Sequence, residues 1–569
     1  MILNESDSIQ MLQDELLVLQ SNSDLFFKII MACLIFFMQC GFAFLEAGSV
    51  RSKNTTNILI KNFLDICIGS VFYWGVGYAF AFGPGGNAFI GSDWYFMYNM
   101  PSDQVDDWFF QFVFAATAAT IVSGSMAERT EFVAYLVYSV ILTGFIYPVV
   151  THWAWSDDGW LTEMPNNPQI AFDDFAGSAV VHILGGSVAL IGAVMLGPRI
   201  GRFDANGKPI TIHGHTVPFA ALGGFILFLG FLGFNGGSQG SISNDGDGVV
   251  VAESIVNTVL SGGVAALCAL IIKQTFYKGN QWSLLTTING GLTGMVAICA
   301  GCDSVSRWGA AVIGFVAGCL FILVSKLVLK AHIDDPLDAV AVHLSGGFWG
   351  IIAVTIFARD TGIVYAWDSD SFLSLLWNFT GAISIYCWSV ATSLIMFGTM
   401  KAFNILRVHP TIEEKGLDIA KHGEPAYPLT AYGHGWNMDN YVDKDIETGT
   451  YTYGYVHVWL CTHIQFSFKS ILTLCSSPAK DNPKDDTSLT PSVPTIHSVE
   501  ERTTNINNSA FNLNTTYKMS ASTASIDTIP EHIRLEGSQQ FAERLQLGVV
   551  NNEMVSDNES DSTQEAVAY

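Results

Sequence analysis

Eleven separate stretches of about 18 to 25 residues are dominated by apolar side chains, and the chain turns polar between them. A helix rising about 1.5 Å per residue needs a run of that length to cross ~30 Å of hydrocarbon, where only helices and closed barrels satisfy their own backbone. The runs lie at about 24–47, 60–82, 107–127, 132–153, 175–197, 216–237, 252–273, 284–301, 308–330, 338–358 and 372–403. A soluble core could not use so many. With half of its 569 residues hydrophobic and 14% charged, the chain reads as an all-α integral membrane protein of eleven transmembrane helices embedded in a lipid bilayer. The formal charge of −25 is spread over loops and tail with no basic patch, so nucleic acid is not an expected partner. The ten cysteines, among them Cys33, Cys40, Cys67, Cys268, Cys319 and Cys387 inside the runs, have neither metal nor disulfide spacing and read as small packing residues. No metal site and no cofactor is expected.

Lysine and arginine collect in alternate loops: Arg51, Lys53 and Lys61, then Arg199, Arg202 and Lys208, then Lys273 and Lys278, then Lys326 and Lys330. The intervening loops carry mainly acid, with Asp93, Asp103, Asp106 and Asp107, then Asp157, Asp158 and Glu163, then Asp245, Asp247 and Glu253. The positive-inside rule then puts the N-terminus outside and the long C-terminus in the cytoplasm. Residues 1–23 are polar and acidic, lack a basic n-region, and read as an extracellular segment rather than a cleavable signal, with Asn4-Glu5-Ser6 as an accessible glycosylation sequon.

Two runs share one motif. Val180-Val181-His182-Ile183-Leu184-Gly185-Gly186 in the fifth is matched roughly 160 residues later by Ala341-Val342-His343-Leu344-Ser345-Gly346-Gly347 in the tenth. Each histidine lies about eight residues inside an acidic entry, Asp174 for the first and Asp334-Asp335-Pro336-Leu337-Asp338 for the second, which puts it ~12 Å deep and near mid-membrane. Taken singly, each is a buried imidazole satisfied by a backbone carbonyl. Repeated in one frame, an intramembrane ionisable group marks a pathway. Five is odd, so a five-span unit followed by its copy must be inverted in the membrane, a plan that puts the site at the repeat interface. The histidine helices then run antiparallel, and His182 and His343 can meet on a pseudo-two-fold axis, with the eleventh helix outside the repeat.

Other positions are informative locally. Glu46, in Phe44-Leu45-Glu46-Ala47-Gly48, closes the first run and is expected to pair with a neighbour in a structural role. Phe110 and Phe114 are four apart and share a helix face, above a small-residue run from Ala115 to Thr120 that admits another helix closely. Trp155 ends the fourth run as an interfacial aromatic, and Gly233-Phe234-Asn235-Gly236-Gly237-Ser238 ends the sixth.

Together these motifs resemble the ammonium transporter (Amt/MEP/Rh) family, in its Amt-type branch. The likeness rests on Phe110 to Phe114 with Ala127-Glu128-Arg129, Trp155, Asp174-Phe175-Ala176-Gly177-Ser178-Ala179-Val180-Val181-His182, Gly233 to Ser238, and Asp334 to Asp338 with His343. It extends through Gly416-Leu417-Asp418-Ile419-Ala420-Lys421-His422-Gly423-Glu424-Pro425-Ala426-Tyr427, so it covers about residues 24–430. The resemblance implies a homotrimer in the plasma membrane with one pore per protomer and ammonium or ammonia as substrate, methylammonium serving as analogue. It implies that Phe110, Trp155 and Ser238 form an outer ammonium recruitment site, Phe114 and Phe234 a gate beneath it, and His182 and His343 the paired pore histidines. It also implies Asp174 and Asp338 as supports of the site. An aspartate that opens a helix is also a good N-cap, and that is the reading favoured here for the direct contacts of Asp174.

The chemistry of the cargo agrees with those implied roles. Aromatic faces compensate a cation that sheds water by ~0.5 to 2 kcal/mol each, whereas a charge at mid-membrane costs about 2.5–3.5 kcal/mol or more. Ammonium is therefore expected to lose its proton near the gate and to pass the histidines as ammonia, the proton following by a separate relay or returning outside. A Rh-like channel for ammonia or carbon dioxide would share the histidines, but the resemblance implies that it lacks the Trp155 and Ser238 pair. A low-flux ammonium sensor would keep the site. No nucleophile–base pair or phosphate-binding loop accompanies the histidines, so an enzyme is not expected.

By the same resemblance residues 24–404 form the transporter domain and residues 405–430 an ordered cytoplasmic regulatory segment reaching a neighbouring protomer, with Ala420 where many relatives carry a phosphorylatable threonine. Residues 431–569 read as a largely disordered tail, in which Val456 to Cys475 is apolar but broken by His457, His463, Gln465 and Lys469 and reads as interfacial or poorly ordered.

Overall fold

The computed structural model describes residues 5–277 and 281–432. The tail expected to be disordered, its 456–475 stretch and the asparagine of the sequon lie outside the described residues. Among those described, eleven helices are long and apolar enough to cross a membrane: Ile9–Ser49, Ser52–Phe82, Ser102–Ser125, Phe132–Trp155, Ser178–Leu196, Val217–Gly237, Asp247–Phe276, Leu284–Gly301, Arg307–Lys330, Val340–Phe357 and Ser369–Ala402. They are called spans one to eleven below. The only strands among the described residues form a small antiparallel pair, Gly85–Asn87 with Ile90–Ser92, in the loop after span two.

Eleven spans match the expectation, but two boundaries differ. The first helix runs from Glu5 to Ser49, so most of the stretch expected as an extracellular segment is helical. Its Glu, Gln and Leu are good helix formers, and hydropathy detects only the part of a helix that meets hydrocarbon. Lys61, expected in the first basic loop, is instead buried inside the helix Thr55–Phe72 together with Asp65. Their partners are side chains of neighbouring spans, which hydropathy does not see.

The helix contacts repeat. Span one packs on span six and span five on span ten; two on three recurs as seven on eight, and three on five as eight on ten. The two histidine helices cross closely because glycine lines both. A methyl at Gly186 would lie 2.5 Å from the Leu344 nitrogen, and one at Gly347 would lie 2.4 Å from the Ser178 oxygen and 3.0 Å from the Ile183 nitrogen. Residue numbers rise on one helix as they fall on the other, so the two run antiparallel. Each also opens with a wide π-helical stretch containing its histidine, Ser178–Ile183 and Val340–Leu344. Such stretches recur at functional sites, and no residue pattern announced these.

One face carries a buried ionic knot. Glu128 takes Arg51 and Arg199, and Asp334 takes Arg199 and Arg202, so four loops are tied together. Burial alone would raise both acids, but Arg199 and Arg51 hold Glu128 at about 2, and Arg199 with Arg129 holds Asp334 at about 2. Residues 405–432 lie across the same face. The Asp418 carboxylate accepts from the Asn57 amide at 2.9 Å, Lys421 pairs with Glu131 at 2.8 Å, and Tyr427 bonds His215 at 2.8 Å.

Candidate functional site

On the opposite face the fourth and sixth spans end beside the third. The Trp155 ring meets Phe114 edge-on with centroids 5.7 Å apart, and Phe110 stands 5.1 Å from Phe114 on the same helix. A methyl at Gly237, next to Ser238, would lie 3.7 Å from Phe110. The Ser238 hydroxyl donates to the Phe234 carbonyl at 2.8 Å, so its oxygen keeps lone pairs with which to accept a hydrogen bond. Phe110 and Trp155 thus converge on Phe114, with Ser238 one turn after Phe234 and next to the glycine that faces Phe110. Below them the Phe114 and Phe234 rings close to 4.4 Å, both fully buried.

The ring stack continues inward. The His182 imidazole lies 5.6 Å from Phe234 and nearly parallel to it, and His343 lies 5.1 Å further on. The two Nδ1 atoms are 3.2 Å apart, so one donates to the other and each ring's tautomer depends on its partner. His182 Nε2 is buried without a partner, a polar atom free for a molecule passing along its ring. Beyond His343 is a narrow cavity of about 30 Å³, larger than the roughly 10–15 Å³ that one water needs.

Two aspartates set the start of the histidine helices. The Asp174 carboxylate accepts from the amides of Ala179 and Val180 at 2.9 Å, and its carbonyl accepts from the Trp155 indole at 2.8 Å. That makes Asp174 the helix cap and the anchor of Trp155. Gly177 takes φ +93 in the intervening turn, where a side chain would be strained and would meet Trp155. The counterpart in the second repeat is Asp335, whose carboxylate accepts from the Val340 amide at 2.8 Å. Asp338, the support expected there, turns to the Ser325 hydroxyl at 2.8 Å. Burial pushes Asp174 and Asp335 up to about 7 alike. The signal for Asp335 was available: each capping aspartate stands eight residues before its histidine. Among the described residues no cluster of His, Cys, Asp and Glu has the geometry to hold a metal ion.

The comparisons agree with this architecture. Residues 26–427 match the model of the Ammonium Transporter Family. The chain is 48% identical over 436 residues to "Putative ammonium transporter 1" of Caenorhabditis elegans, covering 73% of this chain and 81% of that protein. It is 40% identical to "Ammonium transporter 1 member 3" of Solanum lycopersicum over 423 residues, covering 70% and 91% of the two chains. Among solved structures, one described as "Sensor Amt Protein" superposes with a TM-score of 0.66 at 35% identity, over 71% of this chain and 99% of the other. Mep2 of Candida albicans superposes at 0.63 with 25% identity, over 73% and 91%. By sequence and by fold, this chain belongs to the ammonium transporter family.

Proposed function

We propose that this protein transports ammonium across the plasma membrane as a homotrimer with one pore in each protomer, the C-terminal segment on the cytoplasmic side. Ammonium is recruited between Phe110, Trp155 and the Ser238 oxygen, where aromatic faces and one acceptor replace lost water without a carboxylate that would also hold divalent metals. It gives up a proton at the Phe114 and Phe234 gate and moves on as ammonia past His182 and His343, because the ion would be too costly in a narrow apolar passage. The proton crosses separately by way of the paired imidazoles. The observation that carries this reading is the 3.2 Å contact between the two histidines directly beneath a closed aromatic gate.

Varying pH at constant total ammonium tests the reading in cells that lack other ammonium uptake. The evoked current follows the concentration of ammonium and saturates. A signal that tracks ammonia instead overturns recruitment of the cation and favours a gas channel.

A sensing role through residues 405–432 is the second reading, favoured by the likeness to the "Sensor Amt Protein" structure. Robust labelled methylammonium uptake excludes it as the main role.

A further inference from the structure

Glu46 was expected to be structural, yet it lines the same cavity as His343, together with Thr120, Asn289 and Leu337. It is 1% exposed, accepts from the Ser123 hydroxyl and accepts from the Asn62 amide at 2.9 Å. Behind it lie Lys61, over the Tyr135 ring, and Asp65, which accepts from the Tyr135 hydroxyl. Resting on the proton-relay reading above, we infer that Glu46 is the group that returns the proton to ammonia on the inner side of the pore.

Two features select it. The first is position: gate, His182, His343, cavity and Glu46 follow one another without a break, and Glu46 is the carboxyl at the end of that line. The second is charge. Lys61 can neutralise one buried carboxylate, and Glu46 and Asp65 are two, so one of them is stable in this dry pocket only as the acid. Asp65 is held by Tyr135 away from the cavity wall, whereas Glu46 forms part of that wall. The charged groups facing Glu46 are Lys61 and Asp65 from span two. Span three presents Ser123 and Thr120 and span eight Asn289, and Asp338 beyond Leu337 is held by Ser325 and by Asn289. Arg129 and Glu131 lie on the far side, near Lys61.

The cycle balances. Ammonia leaving the histidines takes the Glu46 acid proton: a carboxyl O–H breaks, an N–H forms, and ammonium departs. The carboxylate left behind is held by Ser123, Asn62 and Lys61. The proton travelling through His343 and a cavity water then restores the acid, so each turn moves one ammonia and one proton.

The test compares full-length wild type with Glu46→Gln and Glu46→Asp at equal surface density, reading ammonium-evoked current beside labelled methylammonium uptake. Glutamine keeps the shape and acceptor oxygen but exchanges no proton, so current falls about tenfold or more; aspartate keeps the acid and most of the current. A merely structural Glu46 gives the reverse order, with glutamine benign and the shortened aspartate harmful. Wild-type current in Glu46→Gln overturns this inference and leaves the relay standing, whereas wild-type protein that takes up labelled methylammonium with no evoked current overturns the relay and this inference with it. If Glu46→Gln does not reach the surface, infrared difference spectra of reconstituted wild type decide. A protonated-carboxyl band that responds to ammonium and moves in Glu46→Asp supports the assignment, and no such band overturns it.

Discussion

His182→Asp lowers the ammonium-evoked current about a hundredfold, the lower end of what positioned proton transfer contributes. The two imidazoles share one hydrogen bond at 3.2 Å, and each has a second ring nitrogen through which a proton enters or leaves. That makes the pair a neutral relay that can shift both tautomers and reset. An aspartate beside His343 replaces it with an acid–base pair of very different proton affinities. In surroundings this dry the proton settles on the carboxyl, which keeps both groups neutral, and is not passed on. The variant is buried among Phe231, Phe234 and His343, so surface density is measured alongside current and labelled methylammonium uptake. Wild-type current and selectivity at normal density sink the relay role of the histidines.

The parts of this site that were legible in the sequence are those set by depth and spacing. Equal distance from an acidic entry put His182 and His343 at one level, and an odd number of spans made their helices antiparallel. Their contact was not legible, because it depends on Gly186 and Gly347 letting two backbones meet, and glycines of that kind occur throughout the spans. Phe110 and Phe114 share a face by helical geometry alone, but the 4.4 Å closure of Phe114 on Phe234 joins spans three and six and needs the fold. Asp335 was passed over for Asp338 because three acids stand within five residues, and Asp338 takes a left-handed φ of 59 that turns it aside. Glu46 pairs with neighbouring helices as expected, but Lys61 was misplaced because hydropathy registers a charge as an interruption, whereas here its partner lies on an adjacent helix.

Asp334→Ala produces the largest loss of stability. The Asp334 carboxylate is 1% exposed and accepts from Arg199 through the backbone at 3.0 Å, Nε at 2.7 Å and a terminal nitrogen at 3.1 Å, and from Arg202 at 3.0 Å. Removing it leaves Arg199 with Glu128 alone and Arg202 without its carboxylate, and breaking a buried ion pair from one side costs about 3–5 kcal/mol. The thermal midpoint of the detergent-solubilised protein therefore falls well below that of Asp338→Ala, which gives up hydrogen bonds from Ser325 and Asn289 but no ion pair. Acid has the same effect by another route. Glu128 and Asp334 titrate at about 2 in the folded protein, against ordinary values of 4.5 and 3.8. Their contribution is complete above the ordinary values and is lost as pH falls from there toward 2. Wild type thus loses thermal stability across that window, and Asp334→Ala, having already lost its share, loses less. Equal midpoints at neutral pH, or parallel acid profiles, would mean that this knot does not hold the four loops together. It would then have no part in fixing the turn, with Asp334 one residue before Asp335, that leads into the second histidine helix at Val340.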